Sequence, residues 1–140
     1  TEPVMAMVSY SNFGADKEGS PLRVRNAVKV MQERYPDLAI DGEMQVNFAI
    51  NNKLRDESYP FNKLYGREVN TLIFPNLSAA NTAYKMMLEM GVAEFVGPIQ
   101  MGLNKPIHFT DVESSTRDIL NLTTVAVVDA IVQEQIEKGE

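Results

Sequence analysis

The stretch Thr71-Leu-Ile-Phe-Pro-Asn-Leu-Ser-Ala-Ala-Asn-Thr-Ala-Tyr-Lys85, which continues to Gly91, decides the fold class. The apolar run 72–74 predicts a buried strand, and Pro75 ends it because proline has no N–H for a ladder. Ser78 is the predicted N-cap of a following helix, and Gly91 its predicted end. The apolar residues of that helix recur at helical spacing: Ala80, Ala83, Tyr84, Met87 and Leu88. A strand, a sharp turn and an amphipathic helix form the repeating unit of α/β proteins.

Polar groups follow this strand at the place where α/β sheets bind ligands, beyond a strand's carboxyl end and near a helix N-terminus. Asn81 offers an amide, Tyr84 an aromatic ring and Lys85 a cation. These three residues are therefore candidates for binding an anionic or polar ligand. Their spacing is also that of a capped helix with a solvated lysine and Tyr84 in its apolar stripe, so both interpretations stay open.

Composition excludes several classes of function. The chain has 140 residues, 44% of them apolar, which suits one globular domain. A net charge of −6 argues against a broad nucleic-acid surface, and the lone histidine, His108, excludes a multi-histidine metal site. No cysteine is present, so thiolate chemistry is excluded. We expect no bound metal, because the sequence has no EF-hand or comparable pattern of carboxylate ligands. We expect no membrane partner, because we find no secretory signal and no apolar run long enough to span a bilayer. The default location is cytoplasmic.

Strand and helix patterns alternate along the chain. Strands are expected at 4–10, 38–44, 69–74, 94–99 and 107–110, and helices after Ser20-Pro21, over 45–55, after Ser78 and after Ser114 or Ser115. The alternation predicts a mostly parallel sheet with helices on both faces and a single domain, 1–140. The last helix is apolar on more than one side, which indicates burial, including burial at a subunit contact. The abrupt start at Thr1-Glu-Pro indicates a C-terminal portion excised from a longer domain.

Four segments occur together in an informative order: Ser9-Tyr-Ser-Asn-Phe-Gly14; Ile40-Asp-Gly-Glu-Met44; Phe74-Pro-Asn with Asn81 and Tyr84-Lys85; and Gly97-Pro-Ile-Gln-Met-Gly with Lys105-Pro-Ile-His108. In order and spacing they resemble the C-terminal part of the phosphate acetyl/butyryltransferase family, over about Val4 to Ile131. Within it, the sequence looks most like the transferase-like tails of large bacterial NADP-dependent malic enzymes. The resemblance implies a three-layer α/β fold like that of isocitrate and isopropylmalate dehydrogenases, and dimers built through this domain.

The sequence departs from this family at the active site. The transferases that it resembles carry Ser-Arg-Gly just after the Lys-Pro strand, whereas Asp111-Val-Glu113 stands here. Acyl-phosphate chemistry needs a cation beside the phosphate, and Val112 between two carboxylates removes it. Only Asp118 matches the family's active-site Asp, and we interpret it as a remnant whose role is to stabilise the helix start. We therefore predict no catalytic residue for acyl transfer in this chain.

Other polar residues have two interpretations each. Asp41 and Glu43 resemble a carboxylate pair for acid–base chemistry, but they flank Gly42 in a turn, which favours a structural role. His108 is expected to be a hydrogen-bonded core or edge residue rather than a catalytic one. Asn12 and Gly14, with Ser11, either contact a ligand or simply form the turn that ends the first strand.

Three functions follow from the resemblance. The first is a regulatory and dimerising part of an NADP-dependent malic enzyme, which senses acetyl-CoA through Asn81, Lys85, Tyr84, Asn12 and Gly14. NADP and a divalent cation, Mg²⁺ or Mn²⁺, would then bind other domains of the parent oxidoreductase, and no cofactor would bind here. The second is an active phosphate acetyl/butyryltransferase. The third is a ligand-free dimerisation module.

Overall fold

The computed structural model describes residues 1–92 and 94–139. The chain divides into two compact units, Thr1–Met86 and Met87–Glu140. The helices and strands in chain order are β1 (Val4–Val8), α1 (Gly19–Arg34), β2 (Ala39–Met44), α2 (Val46–Ile50), α3 (Asn52–Ser58), β3 (Thr71–Ile73), α4 (Leu77–Glu89) and α5 (Thr116–Lys138).

The first unit is built on a parallel sheet of three strands in the order β2-β1-β3. In this register Met5 lies opposite Ile40 of β2 and Thr71 of β3. The carboxyl ends of β1 and β2 therefore lie side by side, beside the start of the 9–18 loop. The prediction that Asp41 and Glu43 lie in a turn is wrong, because both belong to β2. The predicted α/β class and parallel sheet are confirmed.

Alternation along β1 and β2 creates a core on one sheet face and a second contact layer on the other. The core cluster contains buried residues of β1, β2, α2 and the loop after α3: Val4, Ala6, Val8, Ala39, Met44, Ala49 and Leu64. Ile40 points to the opposite face from Ala39, and α1 packs along β2 with Val24 and Val28 buried. All six residues of β2 are buried, so this strand is covered on both faces.

Gly42 permits the close approach of β1 and β2. Its φ of 141° is rarely adopted by L side chains, and a Cβ there would collide with the carbonyl oxygen of Met7 on β1. The pairing register shifts just after this point, between Met7 and Val8. The close approach places Glu43 at the end of the sheet beside the 9–18 loop.

A buried arginine supports the loop behind the core. Arg55 is fully buried and donates to the carbonyl oxygens of Leu64 and Arg67, both at 2.7 Å, and to Asp56 at 2.9 Å. Burial alone would raise the pKa of the Asp56 carboxyl, but hydrogen bonds from Gly66 N–H, Asn62 and Arg55 outweigh it and lower that pKa. Hydrogen bonds from the Arg55 guanidinium to backbone carbonyl groups thus hold the 59–67 loop, which contains no helix or strand.

Three predicted helix boundaries are wrong, two of them because an asparagine side chain caps a helix. Asn76, not Ser78, caps α4, since its side chain accepts from Ala79 N–H at 3.0 Å. The helix predicted over 45–55 is broken at Asn51, which accepts from Leu54 N–H and starts α3. The first helix begins at Gly19, before Ser20. Asparagine competes for the first free amides of a helix as well as serine does.

The strands predicted at 94–99 and 107–110 are absent from the described residues of the second unit. The one sheet of the described residues contains β1, β2 and β3 and neither of these segments. Pro98 and Pro106 also lack the N–H that a ladder requires. An apolar run becomes a strand only where a partner backbone is present.

In the second unit, ion pairs join the segment before α5 to that helix. Lys105 Nζ lies 3.0 Å from Glu137 Oε1, and Arg117 Nη2 lies 2.8 Å from Glu94 Oε2. Both pairs are exposed, so each contributes only about 0–1 kcal/mol. Side-chain packing rather than charge must hold this segment against the helix.

The expected burial of α5 on several sides is wrong for the described chain by itself. Leu122 is its only buried residue, and its other large apolar side chains, from Ile119 to Ile136, are half-buried or exposed. The expectation that no segment reaches membrane-spanning length is also wrong, since α5 is long and apolar enough by length and composition. The core helices of globular proteins pass the same test, so this is weak evidence.

Candidate functional site

The 9–18 loop forms a closed turn at the carboxyl end of β1. Asp16 N–H donates to Ser11 Oγ at 3.0 Å, and Tyr10 Oη donates to Asp16 Oδ2 at 2.8 Å. That hydrogen bond, from Tyr10, is the main cause of a lowered pKa at Asp16 and a raised pKa at Tyr10. The loop is thus held by its own polar groups, as the turn interpretation predicts.

Glu43 occupies the centre of this turn. Its side chain is fully buried, and its Oε1 accepts from Gly14 N–H at 2.7 Å and from Ser11 Oγ at 3.3 Å. Its backbone carbonyl accepts from Phe13 N–H at 2.7 Å. Because the Gly14 amide is already bonded to a carboxylate, it is not available to a ligand in this conformation. This arrangement favours the structural interpretation of Glu43.

Asn12 keeps one donor group unused. Its Oδ1 accepts from Gln45 N–H at 2.7 Å. A backbone N–H can only donate, so the side-chain atom that faces it must be the oxygen. The Nδ2 amide group therefore points elsewhere, and it makes no hydrogen bond with the described residues. Asn12 can donate to an acceptor such as a phosphate or a carbonyl oxygen.

The second candidate group lies on α4. Asn81 and Lys85 are exposed and Tyr84 is half-buried. Lys85 Nζ lies 5.6 Å from the centre of the Tyr84 ring, within the range of a cation–π contact. Asn81 and Lys85 are four residues apart, so they share one side of the helix. The Lys85 ammonium group thus lies over the Tyr84 ring, and Asn81 is accessible to solvent.

Asp118 is committed to the start of α5. Its Oδ2 accepts from Ser115 N–H at 2.9 Å and from Ser115 Oγ at 2.6 Å, which completes a capping box. The Ser115 hydroxyl, and then its amide, lower the pKa of Asp118. A carboxylate with a lowered pKa is a poor proton acceptor. The interpretation of Asp118 as a helix-start residue is supported, and Ser115 rather than Ser114 is the cap.

His108 is buried but not hydrogen-bonded, which corrects one part of the expectation. Its side chain is 3% exposed, and neither ring nitrogen has a hydrogen-bond partner among the described residues. The nearest carboxylate oxygen, Asp129 Oδ2, lies 3.5 Å from Nε2. No nucleophile is hydrogen-bonded to the ring in the part of the chain that the structure describes, so His108 does not form a catalytic pair there.

A largely apolar groove of about 550 Å³ lies within the second unit. It runs between the 99–105 segment and α5, and its polar lining includes Lys105 and Asp129. It contains none of the candidate ligand residues named from sequence. Within residues 1–92 and 94–139, no cluster of three carboxylates or histidines could hold a metal ion.

Sequence reasoning missed the residues that shape the 9–18 loop. Arg25 on α1 places Nη2 3.0 Å from the carbonyl oxygen of Asp16 and Nε 3.8 Å from Glu43 Oε2. Its guanidinium also fills the space that a side chain at Gly14 would need. The available signal was a cation on α1 and two acidic residues, Asp16 in the loop and Glu43 in β2. Sequence pattern alone does not connect Arg25 with Glu43, which lies 18 positions away.

Comparisons with known proteins agree with this architecture. The family of phosphate acetyl/butaryl transferases matches residues 1–127. The NADP-dependent malic enzyme of Haemophilus influenzae is 41% identical over 92% of this chain and 17% of its own length. The phosphate acetyltransferase of Clostridium acetobutylicum is 37% identical over 92% of this chain and 38% of its own length.

A phosphotransacetylase structure from Streptococcus pyogenes covers 94% of this chain and 40% of its own, with a TM-score of 0.84 and 34% identity. The chain therefore spans less than half the length of each of these relatives. Sequence and structure both place it in one family: the chain belongs to the phosphate acetyl/butaryl transferases and is similar to the transferase-like region of NADP-dependent malic enzymes.

Proposed function

We propose that this chain is a regulatory and dimerising part of an NADP-dependent malic enzyme, which senses acetyl-CoA and has lost acyltransferase chemistry. One observation carries the proposal: Val112, flanked by Asp111 and Glu113, stands where the resembled transferases place an active-site arginine. All three side chains are exposed. Two carboxylates beside an apolar side chain repel a phosphate that an arginine would neutralise.

The state of Asp118 supports the same conclusion. Its Oδ2 is engaged by Ser115 and its pKa is lowered, so it cannot serve as a base at neutral pH without breaking the capping box. A binding site can nevertheless outlast its chemistry. A ligand that binds two quaternary states with different affinity then controls an enzyme without reacting.

The proposed ligand contacts are Asn81, Lys85, Tyr84, Asn12 and Gly14. Three donors support this assignment: the free Nδ2 of Asn12, the exposed amide of Asn81 and the ammonium of Lys85. Acetyl-CoA presents phosphates, amides and an adenine ring, which suit such donors and the Tyr84 ring. Gly14 is assigned through backbone atoms other than its N–H, which already binds Glu43.

The dimer part of the proposal depends on α5. Val127, Val128, Ile131 and Val132 are each about half exposed in the chain alone. Exposed apolar surface of this extent supports a contact with another protein surface. A homodimer, or a higher homo-oligomer, through this helix is the arrangement proposed.

The remaining parts of the proposal concern the parent protein. It would oxidise and decarboxylate malate to pyruvate with NADP and Mg²⁺ or Mn²⁺ bound in other domains, in the cytoplasm. The finer fold description, a three-layer arrangement like that of isocitrate and isopropylmalate dehydrogenases, belongs to this proposal as well. No nucleic-acid or membrane partner is part of it.

Calorimetric titration of the full-length protein with acetyl-CoA tests the sensing role. We expect saturable binding that is weakened about tenfold by Lys85→Ala, because one cation–phosphate contact is lost. Asn81→Asp should weaken binding further, since a donor becomes an anion. Lys53→Ala is the matched control, because Lys53 is an exposed helix lysine that pairs with Glu57. Equal affinity of all four proteins would reject the assigned contacts.

An assay of acetyl transfer between CoA and phosphate tests the alternative, an active transferase. The proposal predicts no turnover above background. It also predicts that Val112→Arg alone does not restore activity, since Asp111 and Glu113 remain. Turnover in the unchanged protein would establish the transferase instead.

A further inference from the structure

We infer that Glu43 and Arg25 are positioning residues that set the shape of the 9–18 loop and thereby the ligand affinity of Asn12. This inference rests on the proposed binding function. Neither residue touches the ligand. They act by holding the loop in one conformation at the end of β1 and β2.

The Glu43 carboxylate is fully buried. A fully buried carboxylate is retained only where hydrogen bonds or a cation compensate its desolvation. Here Oε1 accepts two hydrogen bonds from the loop, from Gly14 N–H at 2.7 Å and from Ser11 Oγ at 3.3 Å. The loop therefore cannot open without leaving a buried charge unsatisfied.

The Arg25 guanidinium lies near the same carboxylate. Nε lies 3.8 Å from Glu43 Oε2, an oxygen that has no hydrogen-bond partner among the described residues. Nη2 donates to the carbonyl oxygen of Asp16 at 3.0 Å. Arg25 thus balances the buried charge and also contacts the far end of the loop. A Cβ at position 14 would displace this guanidinium.

The contacts of Glu43 with the 9–18 loop also fix Asn12. Asn12 lies between Ser11 and Gly14, and its Oδ1 is fixed on Gln45 N–H two residues after Glu43. Contacts from Glu43 on both sides of Asn12 leave its backbone little freedom. The direction of the free Nδ2 is therefore set before a ligand arrives, and pre-ordering of a contact raises affinity by lowering the entropy lost on binding.

Glu43→Gln tests the inference, because glutamine keeps the shape and one acceptor but removes the charge. We expect the Gly14 amide to exchange hydrogen about tenfold faster, and acetyl-CoA to bind about tenfold more weakly, at a temperature where the protein stays folded. Arg25→Met, which leaves Glu43 in place, should shift both quantities in the same direction by a smaller factor.

Asp41→Asn is the matched control. Asp41 is the other buried carboxylate of β2, but it binds Lys63 N–H rather than the 9–18 loop. Asp41→Asn should lower global stability but leave the Gly14 exchange rate and the affinity for acetyl-CoA unaltered. A purely structural role of Glu43 would make the two variants behave alike.

The outcomes separate the two proposals. If the unchanged protein binds acetyl-CoA and Glu43→Gln binds equally well, the positioning role is overturned and the sensing role stands. If Gly14 exchange is unaltered in Glu43→Gln and Arg25→Met, the loop is held by other contacts and the inference is overturned. If the unchanged protein does not bind acetyl-CoA, the sensing role fails and the inference fails with it.

Discussion

Asp41→Asn should be among the most destabilising conservative substitutions in the first unit. Asp41 is 8% exposed, and its carboxylate accepts from Lys63 N–H at 2.6 Å and from Gly42 N–H at 2.9 Å. Hydrogen bonds to a charged group contribute about 1.5–3 kcal/mol each, and a neutral one about 0.5–1.5 kcal/mol. Asparagine keeps one acceptor and turns its NH₂ toward the other backbone donor. The expected loss is therefore about 2–4 kcal/mol.

Urea unfolding followed by circular dichroism measures this loss. The midpoint should fall by roughly 1–2 M with little change in slope, since the slope follows the surface exposed on unfolding. Glu57→Gln serves as the control, because Glu57 is two-thirds exposed and lies 3.9 Å from Lys53, which is more exposed still. A change below about 0.5 kcal/mol at Asp41, as expected for such a surface pair, would refute the reasoning from buried hydrogen bonds.

Three further results are expected. Gly42→Ala should lower the free energy of unfolding by more than about 3 kcal/mol, whereas Gly66→Ala should lower it by about 1 kcal/mol, because Gly66 has a φ of 71° but open space around it. Equal urea midpoints of the two variants would contradict the steric argument. Asp56→Asn should lower the free energy of unfolding at pH 7 and flatten its pH dependence. The pKa of Asp56 is lowered in the folded state, so the ionised carboxylate stabilises the fold above the unfolded pKa of about 3.9, and this stabilisation is lost as pH falls through the folded pKa. An acid-unfolding curve that Asp56→Asn leaves unchanged would count against this. His108→Leu should change the free energy of unfolding by less than about 1 kcal/mol, because the buried ring makes no hydrogen bond with the described residues. A loss above about 2 kcal/mol in urea unfolding would contradict this and would show that the ring has a hydrogen-bond partner.

Features that depend on a short stretch of chain could be predicted from sequence. The strand, turn and helix after Thr71 are present, and Ser115 with Asp118 forms the capping box that their spacing allows. Helix boundaries failed where two good caps compete, as at Asn76 and Ser78, because a cap is chosen by backbone geometry as well as residue type.

Features that depend on distant partners could not be predicted. The segments at 94–99 and 107–110 have strand-like composition, but a strand forms only when another backbone pairs with it. The contact between Arg25 and Glu43 arises because α1 packs along β2, which is a feature of the tertiary structure. The unused Nδ2 of Asn12 follows from its bond to Gln45 N–H, which joins residues 33 positions apart.

The central claim is that this chain regulates a malic enzyme through acetyl-CoA without performing acyl transfer. Its most direct test is malic enzyme activity of the full-length parent, titrated with acetyl-CoA, with and without this region. We predict inhibition that disappears on truncation while the activity itself survives. No response to acetyl-CoA in either form would contradict the claim and leave the family fold without a sensing role.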